Sequence, residues 1–345
     1  MARCAVPEYI FDDLEKEFPA EKAYFKQQKK MAKGFREDRS SAVVDARPDV
    51  CEVNTYDAQN SNAVTGKQTG SEDKAPSPEE DEANHLADET ARAFRTFLFE
   101  TAGWHSIDDK NVDLNSTVNY GQNEPGQPSD PMDNAFFYTY QGRPWMVYGN
   151  GKMFDNFAKA DDVGGHEMGH GCVEHSTENG LVYLGQSGAL NEGYADVTGR
   201  CFVDHRYGTP VDQADWLIGG KLILPALRDK GWSAIRTFKA EKAYPNDPQP
   251  ANMSGYRFTF QDNGGVHIFS KVALNHPFYL FCMNSGHKYS FEVPWEIFRK
   301  TLTLLPRWCR FEENIRHNLK VCEELYPNDL NCLKDAWRQA GHKVA

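Results

Sequence analysis

Two kinds of local pattern divide this chain, and the place where one replaces the other constrains its fold most. Between residues 112 and 148 the stretches "VDLNSTVNYG", "NAFFYTY" and "PWMVYG" alternate or run apolar, separated by Gly, Pro and Asp. That is the pattern of short strands. From about residue 162 the chain reads mostly helical. The candidate helices are 162–176, 187–206, 213–228, 264–284, 293–303, 308–325 and 329–340. Upstream, "YDAQNSNAVTGKQTGSEDKAPSPEEDE" reads as a hairpin or loop region, and Ser77-Pro78-Glu79-Glu80 within it as a helix start, with a cap, a proline and first-turn acids. The expectation is an α+β chain: a β-rich N-terminal lobe over 51–175 and a mainly α-helical C-terminal lobe over 176–345. There are no internal repeats.

At that junction stands "DDVGGHEMGHGCVEH", residues 161–175. On a helix, residues four apart share a face, so His166 and His170 would hold one metal ion together. Glu167 lies one step around, within reach of a water on that ion. HExxH fixes only three positions, and alone it fits a solvated helical face as well as a metal site. A catalytic zinc site needs a third protein ligand and an open position. Glu192 in "SGALNEGYADV", 22 residues after His170, is the best candidate. Asp196, one turn later, is placed to accept the free N–H of a ligating imidazole. Hydrolysis of an amide also needs donors for the developing oxyanion. His267 in "QDNGGVHIFSKVA" is one, with Asp262 to orient it, and Tyr183 in "GLVY" is a second. Taken singly, Asp196 would be a surface carboxylate and His267 a core histidine.

The chain has 345 residues and a formal net charge of −12. That balance argues against nucleic acid or an anionic membrane as main partner. No apolar run approaches a membrane span. The first residues, "MARCAVPEYIFDDLEKEF", lack the apolar core of a secretory signal. The expectation is a monomer that is cytoplasmic or exported by a non-classical route. None of the eight cysteines forms a CxxC pair, so they read as buried thiols, or as pairs among the last four in an exported protein.

Together, "NSTVNYG", "DNAFF", "WMVYGNG", "DDVGGHEMGH", "GLVY", "SGALNEGYADVTG", "DNGGVH" and "AWRQAGHKV" resemble, in order, the thermolysin-like zinc metallopeptidases. The resemblance covers roughly residues 50–345. It implies a two-lobe fold with the active-site cleft between the lobes and the zinc helix at the junction. It implies one Zn²⁺ on His166, His170 and Glu192, and Glu167 as general base. It implies His267 and Tyr183 as stabilisers of the tetrahedral intermediate. Asn134 and the backbone of Ala135 would hold the substrate main chain. Arg236 would lie at the floor of the pocket after the scissile bond, lined by Phe154, Phe157, Val163 and Ile235. An apolar pocket implies cleavage before a hydrophobic residue of a peptide or protein substrate.

Three departures matter. The interval from His170 to Glu192 is two residues longer than in thermolysin, most simply in the turn "VEHSTENG". The family's double calcium site looks lost: Asp162 and Asp215 remain, but Val203, Leu217 and Gly220 stand where further acids would be, and Ca²⁺ needs six to eight oxygens. Gly164, Gly165 and Gly169 crowd the zinc helix, each at a cost of up to ~1 kcal/mol.

Residues 1–50 resemble the short propeptide of protealysin-like members, with Val6-Pro7-Glu8-Tyr9-Ile10 as the apolar box. The implied picture is a zymogen whose first strand lies in the cleft, with Cys4 a possible thiolate cap on the zinc and cleavage within about 35–52. The basic run 22–39 reads as an exposed linker. An aminopeptidase would need an acidic motif for a free amino terminus, and "DNAFF" stands there instead. A latent or non-catalytic zinc-binding protein that keeps its propeptide is the alternative.

Overall fold

A computed structural model of the chain describes residues 3–37, 50–79, 81–121, 130–177 and 180–344. In chain order the elements begin with β1 (Arg3–Cys4), α1 (Glu8–Glu17), α2 (Lys22–Glu37), β2 (Val53–Asp57), β3 (Lys67–Gly70) and α3 (Glu82–Ala102). Next come β4 (Leu114–Tyr120), β5 (Ala135–Tyr140), β6 (Arg143–Gly149), α4 (Asp161–Ser176) and α5 (Gly185–Tyr207). Then follow β7 (Leu217–Ile218), the single turn α6 (Pro225–Arg228), β8 (Arg236–Thr237) and the short turn α7 (Asp262–Gly265). The chain ends with α8 (His276–Asn284), α9 (Val293–Leu302), α10 (Phe311–Leu325) and α11 (Leu330–Gln339). Two compact units result: Met1–Gly171 with Gly219–Ser233, and Cys172–Ile218 with Ala234–Ala345.

The first unit is built on a six-stranded mixed sheet in the order β1-β5-β6-β4-β2-β3. β4 runs parallel to both β2 and β6, and the outer pairs are antiparallel. Strand alternation puts Phe136, Tyr138, Trp145 and Val147 into one apolar cluster with Tyr120 and Met132. The hairpin expected after Tyr56 is β2 and β3. The helix expected from Ser77 starts later, because the Asp81 carboxylate caps it, accepting the Asn84 N–H at 3.1 Å. It ends at Gly103, whose φ of 66° is a left-handed stop that suits glycine.

Residues 22–37 are not a linker. They are α2, which buries Tyr24, Phe25 and Gln28. The hydropathy of the stretch is low because part of that contact is polar: Gln28 donates to the Pro131 carbonyl at 3.0 Å and accepts the Asp133 N–H at 3.1 Å. The expected cut region, 35–52, falls largely on residues 38–49, outside the described residues.

The second unit is mainly helical. α5 buries nearly every residue from Ser187 to Asp204, whereas α9, α10 and α11 each bury one stripe. No helix fills 213–228. Ala214, Trp216 and Ile218 are buried alternately, which is a strand period, and β7 pairs with β8. Trp216 and Gly219, with φ of 60° and 72°, interrupt any helix there. Of residues 264–284, the first six are not regular helix, Gly264 and Gly265 having positive φ; the helix over 270–284 widens over Lys271–Asn275, just before Pro277, which has no N–H for the i−4 carbonyl. Among the described residues no helix is long and apolar enough to cross a membrane.

Candidate active site

Helix α4 carries His166, Glu167 and His170, all fully buried. Two glycines explain how the neighbouring helices approach so closely. A Cβ on Gly164 would lie 2.7 Å from Thr90 Cγ2 of α3. On α5, a Cβ on Gly193 would lie 2.6 Å from Leu274 Cβ. The imidazoles of His166 and His170 meet at 4.5 Å between centroids and 76°. With Glu192 of α5 they form the one group among the described residues whose ligand atoms, within 4.8 Å of one another, suit a metal ion. Two imidazole nitrogens and a carboxylate, buried and convergent, are a donor set that fits Zn²⁺ with a position left open. The turn assigned the two extra residues includes 178 and 179, which lie outside the described residues.

Tyr183, His267 and Asp262 come together in the second unit. The Tyr183 hydroxyl donates to Glu192 Oε1 and lies 3.1 Å from His267 Nε2. His267 Nε2 is 3.5 Å from Glu192 Oε1. On the other side of the ring, His267 Nδ1 is 2.6 Å from Asp262 Oδ1, while Asp262 Oδ2 accepts the backbone N–H groups of His267 and Ile268 at 2.7 and 3.1 Å. That grip needs an unusual backbone. Asp262, Asn263, Gly264 and Gly265 have φ of 53°, 50°, 84° and 86°; strain of this kind, held by its surroundings, gathers at functional sites.

Several supporting residues carry no motif. Gln249 donates to the His267 carbonyl at 2.7 Å and to Ser270 Oγ at 3.2 Å. Asn191 donates to the Leu181 carbonyl at 3.1 Å, fixing the segment that carries Tyr183. Asn275 donates to Asp196 Oδ2 at 2.8 Å. Only their amide chemistry hints at them, because each acts on a backbone or carboxylate that folding alone brings near.

Asp196 and Arg236 meet as a fully buried pair, with Arg236 Nη2 and Nε at 2.7 and 2.9 Å from the carboxylate. Beside Arg236, Ile235 donates its N–H to the Ile218 carbonyl at 3.0 Å. In the first unit Phe154 and Phe157 pack edge to face at 6.0 Å, and Phe154 also meets Trp232 at 6.2 Å; Val163 is buried.

The expected main-chain clamp is already filled by the chain itself. β1 pairs antiparallel with β5. Val6 donates its N–H to Asn134 Oδ1 at 2.8 Å and accepts Asn134 Nδ2 at 3.0 Å. Ala5 donates to the Ala135 carbonyl at 3.0 Å. The adjacent Asp133 accepts three backbone N–H groups, of Lys152, Met153 and Phe154, and the Tyr24 hydroxyl at 2.7 Å. Burial raises its carboxyl above the usual range.

Cys4 is placed differently from the expected zinc cap. It pairs with Phe136 across the sheet, its side chain belongs to the apolar cluster of Met132, Phe136 and Val147, and it is not among the convergent ligand atoms. Strand alternation decides this: Cys4 faces the core side of the sheet.

Comparison with known proteins agrees along most of the chain. Residues 21–174 match the family model described as thermolysin metallopeptidase, catalytic domain, and residues 179–341 that described as thermolysin metallopeptidase, alpha-helical domain. Protease PrtS of Photorhabdus sp. (strain Az29) is 32% identical over 302 residues, covering 84% of this chain and 76% of that protein. An extracellular metalloprotease of Pectobacterium carotovorum subsp. carotovorum is 34% identical over 256 residues, 72% of this chain and 69% of its own. Among solved structures, the precursor of protealysin, a metalloproteinase from Serratia proteamaculans, superposes with a TM-score of 0.80 at 29% identity, covering 98% of this chain and 99% of that one.

Proposed function

The chain belongs to the thermolysin family of zinc metallopeptidases, and from that premise we propose that it is the zymogen of an endopeptidase that cuts before hydrophobic residues and processes itself. The observation that supports this reading most is the double membership of Glu192. Its carboxylate is one of the three convergent ligand groups and also touches Tyr183, beside His267. An ion held by that carboxylate would thus bring one bound peptide carbonyl within reach of both donors.

His166, His170 and Glu192 hold the Zn²⁺. Bound there, Zn²⁺ supplies Lewis acidity to the scissile carbonyl and makes a water acidic enough to attack near neutral pH. Glu167 takes the proton of the attacking water and passes it to the leaving nitrogen. Asp262 faces His267 Nδ1, which leaves Nε2 for the substrate. His267 Nε2 and the Tyr183 hydroxyl then donate to the oxygen on which charge develops. Asp196 anchors Arg236 at the pocket floor and steadies a ligand imidazole. Asn134 and Ala135 hold the substrate main chain. Phe154, Phe157, Val163 and Ile235 line the pocket for the residue after the scissile bond.

On this reading residues 1–50 are the propeptide, 51–175 the β-rich catalytic lobe and 176–345 the helical one. Residues 5 and 6 occupy Asn134 and Ala135 as a substrate strand would, by strand addition to a sheet edge. Similar proteins named extracellular favour export over a cytoplasmic role. A second reading is a latent zinc-binding protein that keeps its N-terminal segment. The Tyr24 and Gln28 bonds to Asp133 and Pro131 favour it, since they lengthen the hold on the sheet edge.

A time course of the purified chain beside Glu167→Ala separates the two, with SDS gels, N-terminal sequencing and zinc content. The first reading expects the wild type to lose its N-terminal segment and then cleave peptides before Leu or Phe, while the variant binds zinc and stays whole. Both chains whole, inert and zinc-loaded would favour the second. In the processed enzyme, Tyr183→Phe should lower kcat by about 10–100-fold with KM little changed, as expected for a donor used only in the transition state.

A further inference from the structure

In the segment just before Asp262, which holds His267, two aromatic rings are left in water. Phe258 and Phe260 are 79% and 89% exposed, the highest values among the exposed large hydrophobic residues. Their rings meet edge to face at 4.7 Å and 85°. Two exposed phenylalanines side by side call for an explanation, since an apolar patch on a soluble surface marks a place of contact.

The segment that carries them is anchored at both ends. Upstream, the Tyr256 ring packs on Phe269 at 4.6 Å and on Phe311 at 5.5 Å, and its hydroxyl accepts Gln186 Nε2 at 3.2 Å. Between the two rings Thr259 faces inward. Its Oγ1 accepts the Gln261 N–H at 3.1 Å, and its methyl group would be 3.2 Å from a Cβ on Gly265. Two residues after Phe260 comes Asp262, which holds His267. Leu184, half exposed and next to Tyr183, lies against the same turn, its Cδ1 3.9 Å from where a Cβ on Gly264 would be.

We propose that Phe258 and Phe260, with Leu184, form an apolar subsite for an aromatic or large aliphatic side chain of the peptide being cut, at a position other than the residue after the scissile bond. The inference rests on the peptidase reading. The occupant is the substrate because both patches continue within two residues into the oxyanion donors or their support.

The test is a set of fluorogenic hexapeptides with Phe or Asp at each position, cleaved by the wild type, by a Phe258→Ser/Phe260→Ser double variant, by the Tyr/Tyr double variant, and by Phe99→Ser as a control for an exposed ring elsewhere. The Ser/Ser variant should lose about tenfold in kcat/KM, ~1.4 kcal/mol, for Phe at one position. It should change less than about twofold for the Asp counterpart, again on that scale. Tyr/Tyr should restore the preference and Phe99→Ser should leave it alone. An equal fall across the set, or no change, overturns the proposal. Should the wild type cut no peptide, the peptidase reading fails by itself, and the subsite is judged by anisotropy of the same Phe peptide on Glu167→Ala nicked within residues 38–49 by an added protease, so that the N-terminal strand can leave Asn134 and Ala135. Binding weakened about tenfold by the Ser/Ser change keeps the proposal, and equal or absent binding overturns it.

Discussion

Helices α5 and α10 carry the same sequence device in opposite surroundings. Each has a cation and a carboxylate four residues apart: Arg200 with Asp204 at 2.8 Å, and Lys320 with Glu324 at 3.7 Å. The first pair is 4% and 0% exposed, the second 65% and 60%. In α10 the pair stands in water and an apolar stripe of Phe311, Ile315, Val321 and Cys322 faces inward. α5 is buried on all sides, and Arg200 reaches a second carboxylate, Asp215, at 2.6 Å. Asp204 also accepts Ser290 Oγ at 2.6 Å. Burial pushes the Asp204 carboxyl up by more than Arg200 and Ser290 lower it. Spacing alone therefore says nothing about the worth of an ion pair; the solvent around it decides.

Removing the buried cation should have the largest effect on stability. Arg200→Met leaves Asp204 charged and dry, a change that costs about 3–5 kcal/mol in comparable sites. Thermal or urea unfolding of the full chain would measure it, and a loss below about 1 kcal/mol, the scale of a surface pair, would erase the contrast with α10. A smaller loss is expected from Gly193→Val on the same helix. Its Cβ would meet Leu274 at 2.6 Å, an overpacking that costs about 1–3 kcal/mol. Zinc content should fall with it, because Glu192 is the adjacent residue.

The same contrast explains what could be read from the letters. α10 and α11 were legible from their stripes, and α4 and α5 from ligand chemistry, since helices buried all round show no hydrophobic period. The segment 213–228 misled because Ala214, Leu217, Ile218 and Leu222 fall at helical spacing, while the residues buried at its start, Ala214, Trp216 and Ile218, alternate as in a strand. α2 was missed because its contact uses Gln28 and a Tyr24 hydroxyl on Asp133, which hydropathy does not register. Gln249, Asn191 and Asn275 were illegible for a related reason: amides that steady a loop have no spacing of their own. Cys4 was drawn toward the metal by its chemistry, and strand register sent it to the core.

On α10, Lys320→Ala should change the unfolding free energy by less than about 0.5 kcal/mol, as surface substitutions do. Its salt dependence should be weak, since exposed charges are screened within about 10 Å at 0.1 M. A cost near that of Arg200→Met would mean that α10 is covered in the functioning protein, and gel filtration would then be the next measurement.

The smallest expected effect is that of calcium. Asp162 and Asp215 are the acids that the sequence resemblance assigns to a calcium site, and both are engaged by the chain's own donors. Asp162 accepts the Gly219 N–H at 2.8 Å and the Val163 N–H at 2.8 Å. Asp215 Oδ1 accepts Arg200 at 2.6 Å and the Leu217 N–H at 3.1 Å. A guanidinium on Asp215 already supplies positive charge there, while Val203, Leu217 and Gly220 bring no side-chain oxygens. A cation held at a hundred times its Kd would add about 2.7 kcal/mol of stability, so unfolding in millimolar Ca²⁺ and in EGTA should separate the cases cleanly. We expect the two curves to coincide for the wild type. A large upward shift in Ca²⁺ would mean that the ion displaces Arg200 from Asp215, and that the buried charge on α5 is matched from outside the chain rather than from within.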